Sequence, residues 1–278
     1  MPEIGSRFFH IGSHAFNYYG LGVALSAIFL FWFMDWKGKK EGLPKDAMFT
    51  ESAMIVILSV VGGRLLYVLV EFPYFLKNPQ NILKVQSGGL VLYGAFLLTV
   101  PTLYFYTRIK GINFWQCFDL IAVCIAMAIF FVRLGCFYNG CCFGKPTDLP
   151  WAVTYGEGTF PFQFYHGIAP IHPTQIYESL NGLVLAGILF WLLKRKPFHG
   201  IVIAFFFAWY GVVRFLFEFL RGDPKRGYFG PLSTSQWLSL VAIAAASFLF
   251  IILSETQRVE KEPTPQKKSQ FKLTRRHS

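Results

Sequence analysis

The chain has 278 residues, of which 54% are hydrophobic, 19% are aromatic and only 15% are charged. A soluble domain carries roughly 25% charged residues, and one of this length has no interior large enough to bury so much apolar surface. The composition therefore excludes a soluble enzyme, a disordered chain and a nucleic-acid-binding module, and the net charge of +11 does not by itself indicate nucleic acid.

Hydrophobic blocks of roughly 18 to 22 residues, the length that crosses a bilayer as an α-helix, recur along the chain. Such blocks also exclude an outer-membrane β-barrel, whose strands are short and alternate polar with apolar residues. The sequence predicts an all-α polytopic membrane protein with about seven transmembrane helices, at 17–36, 48–70, 89–107, 114–132, 175–193, 200–219 and 235–254. Charged residues and no small-residue cleavage site follow the first block, so we expect it to remain as a helix and not to be a signal peptide.

Lysine and arginine are distributed unevenly between the two sides of these helices. Sixteen of the 26 lie on one side, in the ranges 37–47, 108–113, 194–199 and 255–278, while eight lie on the other side and two lie inside predicted spans. Basic residues favour the cytoplasmic side. We therefore expect the N-terminus to be outside and the C-terminus to be cytoplasmic.

The same pattern divides the chain into two parts. Residues 1–254 are predicted to form a seven-helix transmembrane domain with an outer loop at 133–174, and residues 255–278 a basic, disordered cytoplasmic tail. The outer loop is rich in glycine, proline and aromatic residues, which is typical of a loop that packs into a protein cavity. The tail either only fixes the topology or also binds anionic lipid head groups.

Ionisable residues inside a membrane span cost about 2.5–3.5 kcal/mol each on insertion scales, so their presence needs a reason. The predicted spans contain Arg64, Asp119, Glu178, Arg214 and Glu218. Arg214 and Glu218 are four residues apart and share a helix face, so this pair alone is equally consistent with a buried ion pair.

Two more arginines, Arg133 and Arg221, lie at the outer ends of predicted spans. A guanidinium group stays charged at low dielectric and binds phosphate oxygens in a bidentate way. Together with Arg214, these residues predict a binding site for an anionic phosphate near the outer leaflet.

Residues 132–144 read Val-Arg-Leu-Gly-Cys-Phe-Tyr-Asn-Gly-Cys-Cys-Phe-Gly. This segment resembles the signature of the prolipoprotein diacylglyceryl transferases, which runs Gly-Arg-x-Gly-Asn-Phe-x-Asn-x-Glu-x-x-Gly. The matching positions are Arg133, Gly135, Phe137, Asn139 and Gly144.

Other segments resemble motifs of this family and occur in the family's order. They are Asn17-Tyr18-Tyr19-Gly20, Gly62-Gly63-Arg64-Leu65-Leu66-Tyr67, His172-Pro173-Thr174-Gln175-Ile176-Tyr177-Glu178, and a helix from Tyr210-Gly211 through Arg214, Glu218, Arg221 and Asp223. The likeness covers about residues 5–254, and ordered motifs over this length make a chance resemblance a poor explanation.

The resemblance implies a bacterial inner-membrane enzyme that transfers a diacylglyceryl group from phosphatidylglycerol to the lipobox cysteine thiol of a prolipoprotein, whose signal peptide is then its partner. It implies no metal, cofactor or nucleic acid. Arg133 and Arg214 resemble the family's essential arginines and would stabilise the leaving phosphate, with Tyr93 as the third catalytic residue. The substrate-binding residues that it implies are Tyr19, Arg64, Asn139, His172, Gln175, Tyr177, Glu178, Glu218 and Arg221.

The chain departs from the family pattern at several of these positions. Tyr93 stands where the family usually has a histidine that is a candidate general base, and tyrosine is a poorer base near neutral pH. His166 and His172 also titrate near neutrality, although His172 is equally well explained as a structural hydrogen-bonding residue before Pro173. The alternative functions are therefore a paralogous transferase with a different acceptor, or a non-catalytic or transport protein.

Cysteine replaces the family's asparagine at Cys136 and its glutamate at Cys141, and Cys142 follows directly. An oxidised pair that includes Cys136, or simple packing, is the leading interpretation, because thiols on the outer side face an oxidising compartment. A metal site with a histidine as fourth ligand and a nucleophilic cysteine are the alternatives. Cys117 and Cys124 lie in the fourth span, where we expect them to pack in the core.

Overall fold

The computed structural model describes residues 3–4, 8–11, 14–84, 89–223 and 227–261, most of which are helical. The α-helices are α1 (Tyr18–Lys40), α2 (Lys45–Val70), α3 (Phe72–Lys77), α4 (Leu92–Ile109), α5 (Phe114–Asn139), α6 (Phe160–Phe164), α7 (Thr174–Arg195), α8 (Ile201–Phe217) and α9 (Thr234–Lys261). Single 3-10 turns occupy Pro79–Asn81 and Glu218–Leu220.

Short strands join segments that are distant in sequence. They are β1 (Glu3–Ile4), β2 (Phe8–Ile11), β3 (His14–Asn17), β4 (Thr154–Tyr155), β5 (Tyr228–Phe229) and β6 (Leu232–Ser233). Strand β1 pairs in parallel with β4, whereas β2 with β3 and β5 with β6 form antiparallel pairs. The parallel pair attaches the N-terminal segment to the loop between α5 and α7.

Six of the helices, α1, α2, α5, α7, α8 with its 3-10 turn, and α9, are long and apolar enough to cross a membrane. The predicted all-α polytopic membrane fold is thereby confirmed. The remaining predicted span, 89–107, forms α4, which is also 18 residues long but contains Pro101, Arg108 and three tyrosines that make it less apolar. Its membrane crossing and the orientation of the chain stay predictions.

Helix α5 is the central element, because it packs against α1 on one side and α7 on the other. Its buried face, with Leu120, Ala122 and Ala126, forms the main hydrophobic core together with Leu185 and Leu189 of α7. Small residues allow these backbones to approach closely, as they do in membrane helix pairs generally.

Gly182 shows how close that approach is. A Cβ atom at this position would lie 2.9 Å from the carbonyl oxygen of Ala126 on α5. One turn earlier, the hydroxyl of Ser179 donates a hydrogen bond of 3.0 Å to the carbonyl of Phe130. The two contacts fix α7 against the half of α5 that ends in Arg133.

Two helices extend past the segment boundaries that the sequence predicts. Helix α5 continues to Asn139 and ends where Gly140 adopts a left-handed φ of 69°. Helix α9 continues to Lys261 through residues that favour helix, and the outer position of the loop and the disorder of the tail stay predictions. Residues 262–278 lie outside the described residues.

The connection between α5 and α7 folds over a small core of its own. Phe143, Val153, Tyr155 and Ile171 are buried together, with Ile4 of β1 against them. This connection therefore packs as a protein layer, as its composition predicts. The layer lies beside the C-terminal ends of α5 and α8 and the N-terminal end of α7.

Candidate functional site

A buried carboxylate and three arginines meet where α5 and α8 end and α7 begins, beside the folded loop. Glu178 Oε2 lies 2.7 Å from Arg133 Nη2, while Glu178 Oε1 lies 3.6 Å from Arg214 Nη1 and 3.9 Å from Arg221 Nη1. Only 5% of the Glu178 side chain is exposed, and the arginine side chains are 7% to 17% exposed. Burial at this depth makes each charge dependent on its neighbours.

Two further carboxylates, those of Glu218 and Asp223, form ion pairs with Arg214 and Arg221. Arg214 Nη2 lies 2.9 Å from Glu218 Oε2, four residues further along the chain, and also donates to the hydroxyl of Ser235 at 3.1 Å. Arg221 forms a bidentate pair with Asp223, at 2.9 and 2.7 Å. We call Arg133, Glu178, Arg214, Glu218, Arg221 and Asp223 the arginine cluster.

The arginine cluster is incompletely hydrogen-bonded at its centre. Arg214 Nη1 and Glu178 Oε1 face each other at a distance that is too long for a hydrogen bond, and neither atom has a hydrogen-bond partner among the described residues. A buried guanidinium with a free donor is suited to accept an anion. A small cleft between α7 and α8, lined by Glu178, Asn181, Tyr210 and Arg214, opens onto these atoms.

Arg221 remains positively charged although it is buried. Burial lowers its pKa, but the hydrogen bonds to Asp223 and the nearby negative charges, among them Asp223 and Glu178, together outweigh burial, and so the pKa of Arg221 lies above its ordinary value. The backbone on either side is also fixed, because the amide of Lys145 donates to Leu220 at 2.9 Å and the amide of Gly222 donates to Phe143 at 2.9 Å. Arg221 therefore stays protonated and in place.

Gly144 lies at the crossing of three chain segments. It forms an isolated antiparallel bridge with Arg221, and a Cβ atom on it would lie 2.4 Å from the carbonyl oxygen of His172. This close approach requires glycine. It brings the end of α8 and the start of α7 against the same stretch of loop.

The first turn of α7 is tied to that loop by side chains. Thr174 Oγ1 donates to the carbonyl of Cys142 at 2.8 Å, and Gln175 Nε2 donates to the carbonyl of Cys141 at 2.8 Å. The amide oxygen of Gln175 is buried without a hydrogen-bond partner among the described residues. Gln175 therefore offers a free acceptor near the arginine cluster.

His172 and Tyr177 form a second polar group at the same end. The Tyr177 hydroxyl accepts a hydrogen bond from Trp151 Nε1 at 2.7 Å and lies 3.5 Å from His172 Nδ1. Both residues are thus engaged with each other beside α7. The structure places them near the predicted site but not in contact with the arginines.

Three of the other sequence-predicted site residues border the arginine cluster without a direct bond to it. Tyr19 begins α1 and lies within electrostatic range of Arg133. Tyr93 is half exposed and lies within electrostatic range of Tyr210 and Arg214. Asn139 is the last residue of α5 and interacts with Cys141.

Arg64 has a different environment from the one that the resemblance implies. Its guanidinium donates to the backbone carbonyls of Asn81 at 2.6 Å, Ile82 at 2.8 Å, Lys84 at 3.1 Å and Gly89 at 3.1 Å. These bonds fasten the connection between α2 and α4. They give Arg64 a structural task, and its role in substrate binding stays a prediction.

The five cysteines are free thiols, so the predicted disulfide is not present. Cys117 and Cys124 are buried in the main core, which confirms the prediction that they pack there. The other three lie beside Arg133. Hydrogen bonds from the Cys136 and Cys141 thiols lower the pKa of Cys142, and the charges of Arg133 and Arg221 lower it further against the opposing effect of burial.

Sequence reasoning missed Tyr155 and Tyr210. Tyr155 is buried, donates to the carbonyl of Phe137 at 2.7 Å and accepts from Gln175 at 3.3 Å, and so it links the loop to both α5 and α7. Its place in an aromatic-rich loop is the only signal that the sequence offers. Tyr210 lies in a motif that the sequence displays, but only the fold shows that it lines the cleft beside Arg214.

The comparisons with known proteins agree on one family. The family model described as prolipoprotein diacylglyceryl transferase matches residues 6–252. The chain is 38% identical to the phosphatidylglycerol–prolipoprotein diacylglyceryl transferase of Clostridium tetani, over 84% of this chain and 92% of the relative. It is 32% identical to the proteins of the same name from Idiomarina loihiensis, over 90% and 93%, and Bordetella avium, over 94% and 98%.

Proposed function

The chain belongs to the prolipoprotein diacylglyceryl transferase family, and we propose that it transfers a diacylglyceryl group from phosphatidylglycerol to a cysteine thiol of a prolipoprotein. The observation that supports this function best is the arginine cluster. It holds three buried guanidinium groups, and one donor among them, Arg214 Nη1, has no hydrogen bond and is available to a lipid phosphate.

In the reaction, a sulfur–carbon bond forms to the glyceryl carbon and the carbon–oxygen bond to the phosphate breaks. The thiol proton leaves to a base, and the electron pair of the broken bond leaves with glycerol phosphate. Negative charge therefore develops on the phosphate oxygens in a poorly solvated place. Arg133 and Arg214 are the residues that stabilise it, because preorganised donors at such a position lower the barrier directly.

Glu178 keeps these arginines oriented before the lipid arrives. Its Oε2 binds Arg133 closely, whereas its Oε1 is only loosely approached by Arg214 and Arg221. A phosphate oxygen can then take the Arg214 donor without breaking the Arg133–Glu178 pair. Arg221, held by Asp223, adds positive charge without moving.

Neutral hydrogen-bonding groups would orient the remaining oxygens of the lipid. Gln175 contributes the free acceptor described above, and Tyr19, Asn139 and Tyr177 border the same space. Tyr93 is proposed to donate a hydrogen bond beside Arg214, because it stands at the position where the family has a histidine. The lipobox cysteine of a signal peptide is the proposed acceptor.

The distribution of charge supports an enzyme over a transport pathway. On α5 the buried charges are Asp119 and Arg133, about 21 Å apart along the helix axis, and the residues between them are all uncharged. Stepwise passage of an ion or polar solute would need polar groups along that length. We propose a multi-pass protein of the bacterial inner membrane, with the arginine cluster at the outer side and the C-terminus in the cytoplasm.

Complementation tests the function. Bacterial cells depleted of their own transferase should regain growth and lipidated lipoproteins when this chain is expressed. Purified protein should also transfer labelled diacylglyceryl from phosphatidylglycerol to a lipobox peptide. Membrane-inserted, folded protein that does neither would contradict the proposal, and transfer to a different acceptor would indicate the paralogous function.

A further inference from the structure

Cys136, Cys141 and Cys142 are brought together by the way that α5 ends. Cys136 is in the last turn of the helix, and the amide of Cys141 donates to its carbonyl at 3.3 Å. Gly140 then adopts a left-handed φ of 69°, and Cys142 does so again at 60°, which is uncommon for a residue other than glycine. The chain turns back on itself, and the three sulfur atoms lie within 4.8 Å of one another.

These distances match a three-coordinate metal centre. A metal bound to thiolate at about 2.3 Å, in the plane of three sulfurs, requires those sulfurs to be about 4.0 Å apart. The three cysteines thus need shifts of less than an ångström to converge on one ion. The backbone that carries them is held by Thr174 and Gln175, which bond the carbonyls of Cys142 and Cys141.

The donor set distinguishes between metals. Within the described residues, the group that could hold an ion contains these three sulfurs and no histidine or carboxylate. Structural zinc almost always takes four ligands, and neither His166 nor His172, the two histidines considered as a fourth ligand, belongs to this group. Soft thiolate ligands select Cu(I), which is satisfied by three of them.

The charges around the sulfurs agree with a monovalent ion. Arg133 and Arg221 lie within electrostatic range of Cys142, and Arg133 also of Cys136, so that positive charge is already next to the thiolates. A divalent ion would add a second positive charge at the same place. A Cu(I) ion adds only one, beside arginines whose charges are already paired with Glu178 and Asp223.

We propose that Cys136, Cys141 and Cys142 form a trigonal three-sulfur binding site for Cu(I). The transfer reaction proposed above uses none of these sulfurs. The site lies one helical turn beyond Arg133, where α5 ends and the loop that holds the first turn of α7 begins. Bound Cu(I) would brace the start of this loop.

Cu(I) competition against a colorimetric chelator tests the proposal. Full-length protein in detergent, reduced and kept without oxygen, should take up about one Cu(I) per chain. Each of the substitutions Cys136→Ser, Cys141→Ser and Cys142→Ser should weaken that uptake by more than about tenfold, because each removes one of three metal–sulfur bonds. Cys124→Ala is the matched control, since Cys124 is a buried cysteine of the same helix in the main core.

No uptake by the reduced wild-type protein would overturn the proposal. Uptake that survives all three serine substitutions, or that Cys124→Ala weakens equally, would overturn it as well. If the reduced protein does not bind Cu(I) and the reoxidised protein contains a stable disulfide at Cys136, the disulfide interpretation is correct instead.

A second measurement needs no variant and so does not depend on how the substitutions fold. In the native wild-type protein, Cys141 and Cys142 are partly exposed and should react with a maleimide in the absence of metal. Stoichiometric Cu(I) should protect both sites, as read by peptide mass spectrometry. Equal labelling with and without Cu(I) would contradict the site directly.

Discussion

Helix α5 carries a buried acid near one end and a buried arginine near the other, and the protein holds the two in different ways. Asp119 accepts hydrogen bonds from the backbone amides of Gly200 at 2.9 Å, Val202 at 3.1 Å and Ile203 at 3.2 Å. Lys196 approaches it at 3.4 Å and also pairs with Glu41 at 3.3 Å. We call Asp119, Lys196 and Glu41 the Asp119 cluster.

The carboxylate of the Asp119 cluster that lies in α5 is fully hydrogen-bonded. This aspartate caps the N-terminus of α8 from another helix, where exposed amides and the helix dipole favour negative charge. Both carboxylate oxygens are used. The arginine cluster at the other end has an unpaired guanidinium donor and a carboxylate oxygen without a hydrogen bond. A buried charge whose bonds are all made stabilises the fold, whereas one with bonds still to make is available to a ligand.

Arg133→Ala tests the difference between the two clusters and is expected to have the largest effect on the transfer rate. Transfer should fall by about 100-fold or more, since a preorganised donor for the developing phosphate charge is lost. Membrane insertion should persist. Arg133→Lys should rescue poorly, because an ammonium group cannot bind phosphate in a bidentate way.

Initial rates with phosphatidylglycerol and a lipobox peptide check this prediction. Arg108→Ala, at the exposed end of α4, is the matched control and should leave the rate unchanged. Normal lipidation by the Arg133→Ala protein would remove the basis for a phosphate site in the arginine cluster.

Asp119→Ala should have the opposite signature. It leaves three backbone amides at the start of α8 without their acceptor, and we expect the free energy of unfolding to fall by about 3 kcal/mol. Each molecule that still folds should transfer at the wild-type rate. Denaturant unfolding in detergent, with activity normalised to folded protein, measures both quantities.

Asp35→Asn is the control for that experiment, because Asp35 forms an exposed ion pair with Lys39 and should matter little. If Asp119→Ala instead lowered activity per folded molecule as much as Arg133→Ala does, the two clusters would not differ in kind.

Tyr93→Phe should have an intermediate effect on catalysis. The loss of one hydrogen bond worth about 1.4 kcal/mol corresponds to about a tenfold lower kcat. KM for phosphatidylglycerol should change little if Tyr93 acts only in the transition state. A change in KM alone, with kcat intact, would assign Tyr93 to lipid binding.

The smallest effect concerns pH and the Asp119 cluster. Burial raises the pKa of Glu41, but bonds with Lys37 and Lys196 lower it by more, so the pKa lies below its ordinary value of 4.5. A carboxylate with a lowered pKa stabilises the fold above its ordinary pKa, and this stabilisation disappears as the pH falls through the lowered pKa.

Wild-type protein should therefore melt slightly above Glu41→Gln at pH 7, and the difference should vanish in acid, below the lowered pKa. Thermal melting of both proteins from pH 7 to pH 3 gives the result. A difference that grows as the pH falls would reverse the sign of this argument.

The elements that sequence predicts well are those that depend on local composition. Apolar blocks place the helices, and the arginines at their ends predict a phosphate site, because a charge in a membrane needs a reason wherever it occurs. Arg64 shows the limit of that rule. Its charge is stabilised by four backbone carbonyls, and nothing in Gly-Gly-Arg indicates which connection would supply them.

The contacts of the other residues cannot be predicted in this way, because they depend on how distant segments of the chain approach each other. In the sequence, Asp119 is one more charge inside a predicted span, and only the fold shows that α8 begins beside it. In the sequence, Tyr155 is one aromatic residue among many, and only the fold shows that its hydroxyl donates to the carbonyl of Phe137. The cysteines suggest a disulfide by location, but the left-handed turn at Cys142 gathers three thiols and not two.

The crossing at Gly144 has a consequence for biosynthesis. Gly144 and His172 are synthesised before Arg221, yet the crossing contains all three residues. Contacts between such distant segments form late, because long stretches of chain must first be ordered. A nascent chain that has inserted α5 and α7 would thus remain inactive until α8 is delivered, and lipid could not be processed by a half-made protein.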